Sequence, residues 1–265
     1  MKLIVGRWRS PDHPDAWPQA TSLMVDEPPV VLCATGMGGG SQQATFREQL
    51  DPVLMSGIER WRAAMRASCG SAHEAADALF AAVQAEFEEL PSAPRLPADH
   101  AQASAVALVG GDDGWAVVNS GLERAYLVRE GSVRQVSVDR SMLADAPADA
   151  DLGVRFASFF RLHGGQLGNF LPARWQVAPL ELRRGDVLVL GTGWVGAFAD
   201  GEELAPVMLR AIRGADATED GLTKAAAALG KWICDPARLA AYPPSSRASF
   251  YARCRISLAV CTLAT

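Results

Sequence analysis

The sequence predicts an α+β fold with mostly antiparallel sheets, and three observations carry that prediction. Short apolar strands lie at both ends and in the middle of the chain, the helical segments come in pairs, and the middle strands follow one another as a meander of hairpins. With 265 residues, 49% of them hydrophobic and 21% charged, the chain can bury a core without disulfides or a structural metal. That composition excludes disordered, collagenous and coiled-coil classes. No repeat, low-complexity run or domain boundary is visible, so residues 1–265 are expected to form one domain.

Taken in order, Leu3 to Val5, Ser22 to Val25 and Pro29 to Ala34 read as strands between Pro and Gly clusters. From Ser41 the period changes. Phe46, Leu50, Leu54, Ile58, Trp61 and Met65 recur at three and four, a helical stripe in which Asp51-Pro52 is expected to restart or kink the helix. Ser71 and Glu74 have the spacing of a capping box and open a second helix, apolar at Ala76, Leu79, Phe80, Val83, Phe87 and Leu90 and closed before Pro91. The proline-rich stretch 91–102 reads as a surface loop.

Residues 104–138 alternate as strands around a Gly-Asp-Asp-Gly turn at 111–114 and an Arg-Glu-Gly turn at 129–131. Helical or irregular chain is expected over 141–170, then a buried strand at 186–191, helices at 202–213 and 218–232, and a closing strand at 255–263.

The net charge is −5, from 25 basic and 30 acidic residues that are interspersed, so the clustered positive surface of a nucleic-acid binder is missing. The excess of arginine over lysine fits a GC-rich, bacterial genome and carries no functional weight. Five cysteines, an odd number without a C-x-x-C pair, suit a reducing compartment. The first ten residues hold too short an apolar run for a signal-peptide core, and no stretch of 18 apolar residues occurs. The expected location is the cytoplasm, with no membrane insertion.

Four strings, in order, carry a resemblance. Residues 6–17 read GRWRSPDHPDAW, 33–39 CATGMGG, 117–135 VVNSGLERAYLVREGSVRQ and 181–194 ELRRGDVLVLGTGW. They resemble, respectively, the G-x-x-R-x-x-N-E-D-A-F, A-D-G-M-G-G, V-A-N-V-G-D-S-R-A-Y-L and L-x-x-G-D-x-L-L-L-x-S-D-G-L stretches of the metal-dependent protein phosphatase (PPM, type 2C) family, and the closing strand is similar to its D-N-I-T-V-V-V-V. The resemblance spans essentially the whole chain. It implies a four-layer α-β-β-α sandwich: two antiparallel sheets face to face, with a helix pair on each outer side.

The resemblance also implies a chemistry, and a departure from it. Members of that family hydrolyse phosphoserine and phosphothreonine with two divalent ions, manganese or magnesium, held by aspartates, because hard cations select carboxylate oxygen. Here the bridging aspartate falls on Thr35, that of S-D-G-L on Thr192 and that of D-N-I-T on Cys254; that of G-D-S-R-A-Y, more structural than metal-binding in the family, falls on Leu122. Asp15 alone keeps its acid, behind Pro14 and shifted by one place. One carboxylate and neutral hydroxyls cannot offset the cost of holding two divalent charges, so the binuclear centre is expected not to form, and no cofactor is expected. The glycines around the site, Gly36, Gly38, Gly39 and Gly193, remain and are expected to keep tight turns.

The expected function is therefore that of a pseudophosphatase, a signalling scaffold with a vestigial cleft at Asp15, Thr35, Gly36, Gly193 and Trp194. Its partner would be a protein: a kinase, a phosphoprotein or a phosphatase. Trp194 stands where the family has an aliphatic residue and either plugs the old cleft or presents a contact. The alternative is an active serine/threonine phosphatase with a rearranged manganese or magnesium site that recruits Asp15 with Asp12 or Asp200; a third reading is a phosphate or small-molecule sensor. Thr35 to Gly40 lacks the pattern of a nucleotide loop, no His pair has ligand spacing, and no G-x-S-x-G elbow is present.

Overall fold

A computed structural model of the chain describes residues 2–10, 19–37, 43–67, 70–90, 102–139, 167–168, 175–192, 201–240 and 256–264. Eleven strands are found among them: β1 (Leu3–Arg9), β2 (Gln19–Val25), β3 (Val30–Met37), β4 (Gln102–Gly111), β5 (Gly114–Ser120), β6 (Arg124–Arg129), β7 (Ser132–Gln135), β8 (Leu167–Gly168), β9 (Gln176–Leu180), β10 (Val187–Gly191) and β11 (Ser257–Leu263). The helices are α1 (Gln43–Ala67), α2 (Ala72–Glu89), α3 (Gly201–Arg213), α4 (Glu219–Ile233) and the short α5 (Pro236–Ala240).

The strands form two antiparallel sheets. One has the order β1-β11-β10-β6-β7, and the other β2-β3-β4-β5-β9 with β8 added beside β4. Strand alternation gives each sheet two faces, and both are covered. Val30, Leu32 and Ala34 of β3 and Ala105 and Ala107 of β4 pack under α1 and α2 against Leu54, Ile58, Phe80 and Phe87. Val189 of β10 and Leu258 and Val260 of β11 pack under α3 and α4 against Met208, Leu222 and Leu229. A third cluster, with Val5, Val31, Cys33, Leu108, Leu127, Leu188, Leu190 and Cys261, fills the space between the sheets. The architecture is the four-layer sandwich expected from the sequence.

Local chemistry explains the helix ends. The Ser71 Oγ accepts from the Glu74 N–H and the Glu74 carboxylate accepts from the Ser71 N–H, so the capping box is formed. A second cap was hidden in the sequence: Asp113, in the β4–β5 turn, accepts from the Ala72 N–H at 2.6 Å and so pins that hairpin to the start of α2. Thr218 caps α4 through the Gly221 N–H. α1 runs through Pro52 as one helix rather than restarting there. It lies so close to α2 that a Cβ on Gly57 would sit 2.7 Å from Val83 Cα.

Several strands differ from expectation: β2 begins at Gln19 rather than Ser22, β3 runs on to Met37 rather than ending at Ala34, and β8 falls within 141–170, expected to be helical or irregular. β9 falls where no element was expected and contains Pro179; as an edge among the described strands it needs ladder bonds on one side only. β1 continues to Arg9, which pairs with Ser257. Of the loop expected at 91–102 all but Gln102, which opens β4, and of the helical or irregular chain expected at 141–170 all but β8 lie outside the described residues.

Candidate functional site

The space between the sheets changes character along its length. Facing residues form successive tiers, because side chains two apart on a strand share a face and the pairings fix which residues are level. Val5, Cys261, Leu188 and Leu127 of one sheet make an apolar tier with Met24, Val31, Leu108 and Val117 of the other. One step on, Arg7, Ala259, Leu190 and Ala125 lie level on the first sheet and Ser22, Cys33, Val106 and Asn119 on the second. The Cys33 Sγ donates to the Leu190 carbonyl at 3.7 Å, which aligns the two sheets at this level.

The next tier is polar. Arg9 pairs with Ser257 on the first sheet; the chain just past β10 brings Thr192 beside Ser257, and the chain just before β6 brings Glu123 level with it. Ala20, Thr35 and Ser104 face them from the second sheet, followed by Gly121 in the turn after β5. Arg9 is exposed at the rim, while Thr35, Ser104, Glu123, Thr192 and Ser257 are buried, at 3%, 4%, 1%, 0% and 0% exposure.

Hydrogen bonding in this tier is uneven. Thr192 is held twice: its N–H donates to the Ser257 carbonyl at 3.1 Å, and its Oγ1 accepts the Ser257 N–H at 3.2 Å. Thr35 Oγ1 and Ser257 Oγ are buried and have no hydrogen-bond partner among the described residues, a costly state for a hydroxyl. Gly121 has φ 79°, and a Cβ there would lie 2.3 Å from Ser104 Oγ and 3.4 Å from Glu123 Oε2. Glycine is thus required both by the turn and by the approach of Ser104 and Glu123 from opposite sheets. Burial, then Cys261 and Glu123, push the Cys33 thiol well above its ordinary range. Cys33 is a core thiol that stays protonated.

The structure brings Thr35 and Thr192 into one tier, with Gly36 buried beside Thr35. The two hydroxyls do not bond one another. Gly36 is a strand residue paired with Ala103 and Gln19, not a turn glycine; the turn that needs glycine here is at Gly121. Asp12, Asp15, Gly38, Gly39, Gly193, Trp194, Asp200 and Cys254 lie outside the described residues. Sequence reasoning passed over Glu123. Its neighbour Leu122 occupies the position of the family's aspartate, and only the strand register shows that the carboxylate one place later faces the tier.

The far pole of the sandwich carries a cavity of about 660 Å³, lined by Lys2, Asp26, Glu27, Asp112 and Trp115 among others. It lies at the other end of the inter-sheet layer from Thr35 and shares no residue with the polar tier.

This four-layer sandwich is the fold of the PPM, or type 2C, serine/threonine phosphatases. The serine/threonine phosphatase PstP/Ppp of Mycobacterium tuberculosis superposes with a TM-score of 0.65 at 13% identity, over 100% of both chains. The catalytic domain of PstP in complex with 2 manganese ions gives 0.64 at 14%, over 99% of this chain and 100% of that one. The PPM phosphatase MsPP of Mycobacterium smegmatis, in complex with cacodylate, gives 0.62 at 17%, over 99% and 98%. No protein-family model and no curated protein matches the chain.

These neighbours correct one expectation. The sequence reading expected no cofactor, yet this fold carries two manganese ions in PstP, and the expectation of none is withdrawn. Among the described residues no group of three His, Cys, Asp or Glu side chains is placed to hold a metal. The donors of the polar tier are one carboxylate and four hydroxyls, an all-oxygen set that suits a hard cation but neutralises only one charge. Among the described residues no helix is long and apolar enough to cross a membrane.

Proposed function

We propose that this chain is a PPM-fold protein that does not hydrolyse phosphoesters and acts by binding a protein partner, namely a kinase, a phosphoprotein or an active phosphatase. The observation that supports this reading is the state of Thr192. Its hydroxyl is engaged in holding the Ser257 N–H, and it stands where the resemblance puts a metal-binding aspartate. Together with Thr35 it presents neutral oxygen where a pair of divalent ions would require negative charge. Fold retention without those acids leaves a shaped, polar end with Arg9 at its rim, a surface suited to recognition. One neighbour, PppA of Pseudomonas aeruginosa, is described as a key regulatory component of the type VI secretion system, so a regulatory role is in keeping with the fold.

A second reading, phosphate hydrolysis at a rearranged site, is favoured by one specific observation, the buried carboxylate of Glu123 in the same tier. Turnover of an aryl phosphate and of a phosphopeptide, measured with manganese or magnesium added, separates the two. The expected result is no turnover above the metal-only control. Cross-linking in the native cell is expected to recover a kinase, phosphoprotein or phosphatase, with recovery reduced by Arg9→Glu. Turnover that Asp15→Ala or Glu123→Gln abolishes would replace the first reading with the second.

A further inference from the structure

We infer that the cavity at the far pole of the sandwich is a recognition site for an arginine-bearing segment of a protein partner. Its mouth lies between the β2–β3 turn and the β4–β5 turn, with the start of β1 beside them. Both turns are held from outside: Arg62 Nε of α1 donates to the Glu27 carbonyl at 2.9 Å, and the Asp112 N–H donates to the Gly70 carbonyl at 3.3 Å, just ahead of α2. The Gly110 N–H joins one turn to the other through the Pro29 carbonyl at 2.9 Å. The main chain of the mouth is therefore preorganised, and less ordering cost falls on binding.

Three features define the occupant. First, Asp26 and Glu27 from one turn and Asp112 from the other place three exposed carboxyl groups on the cavity against one cation, Lys2, and none of these four side chains forms an ion pair with a described residue. The excess of acid selects a positive group. Second, the floor is apolar, with Leu3 and Trp115 buried and Met24 half-buried, and the Trp115 indole N–H has no hydrogen-bond partner among the described residues. At 7% exposure such a donor is best met by a carbonyl on the ligand. Third, the volume of about 660 Å³ falls within the range of about 300–1,000 Å³ that holds a drug-sized ligand, so a side chain enters together with main chain that flanks it. A guanidinium is planar, weakly hydrated and rich in donors. It can bridge carboxylates on two turns while its faces lie on apolar surface, which the strongly hydrated ammonium of lysine does less well.

This cavity adds a contact to the partner-binding reading without depending on it: it shares no residue with the polar tier, so it stands or falls separately from the question of phosphoester hydrolysis. The test is made on the full chain by nitrogen–proton NMR, with the Trp115 indole resonance identified from its loss in Trp115→Phe. An acetylated, amidated Gly-Ala-Arg-Ala-Gly peptide is titrated beside analogues with lysine or glutamine in place of arginine. The arginine peptide is expected to shift that resonance, the lysine peptide to bind more weakly and the glutamine peptide not to bind. Asp26→Asn, Glu27→Gln and Asp112→Asn should each weaken binding about two- to fivefold, and Lys2→Gln should tighten it by a similar factor. All four side chains are exposed, so each variant should keep the circular dichroism of the parent. Equal binding of the arginine and glutamine peptides, no binding, or no change in the acidic variants overturns the assignment. Argininamide binding as tightly as the peptide would make this a small-molecule site, and a dimer dissociated by Glu27→Gln would make the occupant a second copy; either overturns the choice of a partner segment.

Discussion

Thr192 and Ser257 clasp one another with two hydrogen bonds, one through the Thr192 N–H and one through its hydroxyl, and so fasten the end of β10 to the start of β11. The hydroxyl bond supplies the Ser257 N–H with an acceptor in a site with no solvent exposure. Thr192→Val removes that acceptor at nearly constant volume and is expected to cost about 1–3 kcal/mol in urea unfolding, with Thr192→Ser restoring most of it. Equal stability of all three proteins would show that the clasp is not structural.

Asp186 anchors the opposite end of β10. Its carboxylate receives Arg129 Nε at 2.8 Å, Arg129 Nη2 at 2.6 Å and the Arg183 N–H at 2.7 Å, with its side chain 4% exposed. Burial acts to raise its pKa, but those donors outweigh it and hold the carboxyl below the ordinary aspartate value of 3.8. A group whose value is lowered on folding adds stability above its unfolded value, and that stability is lost as pH falls through the folded one. The parent should therefore lose stability on acidification below about pH 4 more steeply than Asp186→Asn, and Asp186→Ala should cost about 3 kcal/mol at neutral pH. Parallel acid profiles for parent and Asp186→Asn would contradict the assignment.

Asp113, in the β4–β5 turn, accepts the Ala72 N–H and so caps the first turn of α2 from outside the helix. Asp113→Ala is expected to destabilise the chain by about 1 kcal/mol and to speed amide exchange in the first turn of α2. Exchange confined to the hairpin would show that the cap is incidental.

Gly230 permits α4 to lie on Trp8 of β1: a Cβ there would come within 2.1 Å of the indole Cε3. Gly230→Ala should lower stability by about 2 kcal/mol and alter tryptophan fluorescence, whereas Gly214→Ala, where a Cβ meets nothing within 4 Å, should do neither.

Much of this was legible in the sequence because the signals are local. The capping box of α2 follows from Ser71 and Glu74, and the hairpins from their Gly and Asp turns. Other features depend on register and were not legible. Glu123 adjoins the position that the family's motif singles out, and only the pairing of β6 with β10 shows that Leu122 is half-buried while Glu123 faces the tier. β9 was hidden by Pro179, since a proline argues against a strand until its place at a sheet edge is known.

That proline has a consequence of its own. Among the described residues β9 is the last strand on its side of the six-stranded sheet, and Pro179 leaves it without an N–H at the fourth of its five positions. An incoming strand from a second molecule would meet a gap in the ladder it needs, so stacking of copies edge to edge is disfavoured there and the chain is protected from fibrous assembly along that border.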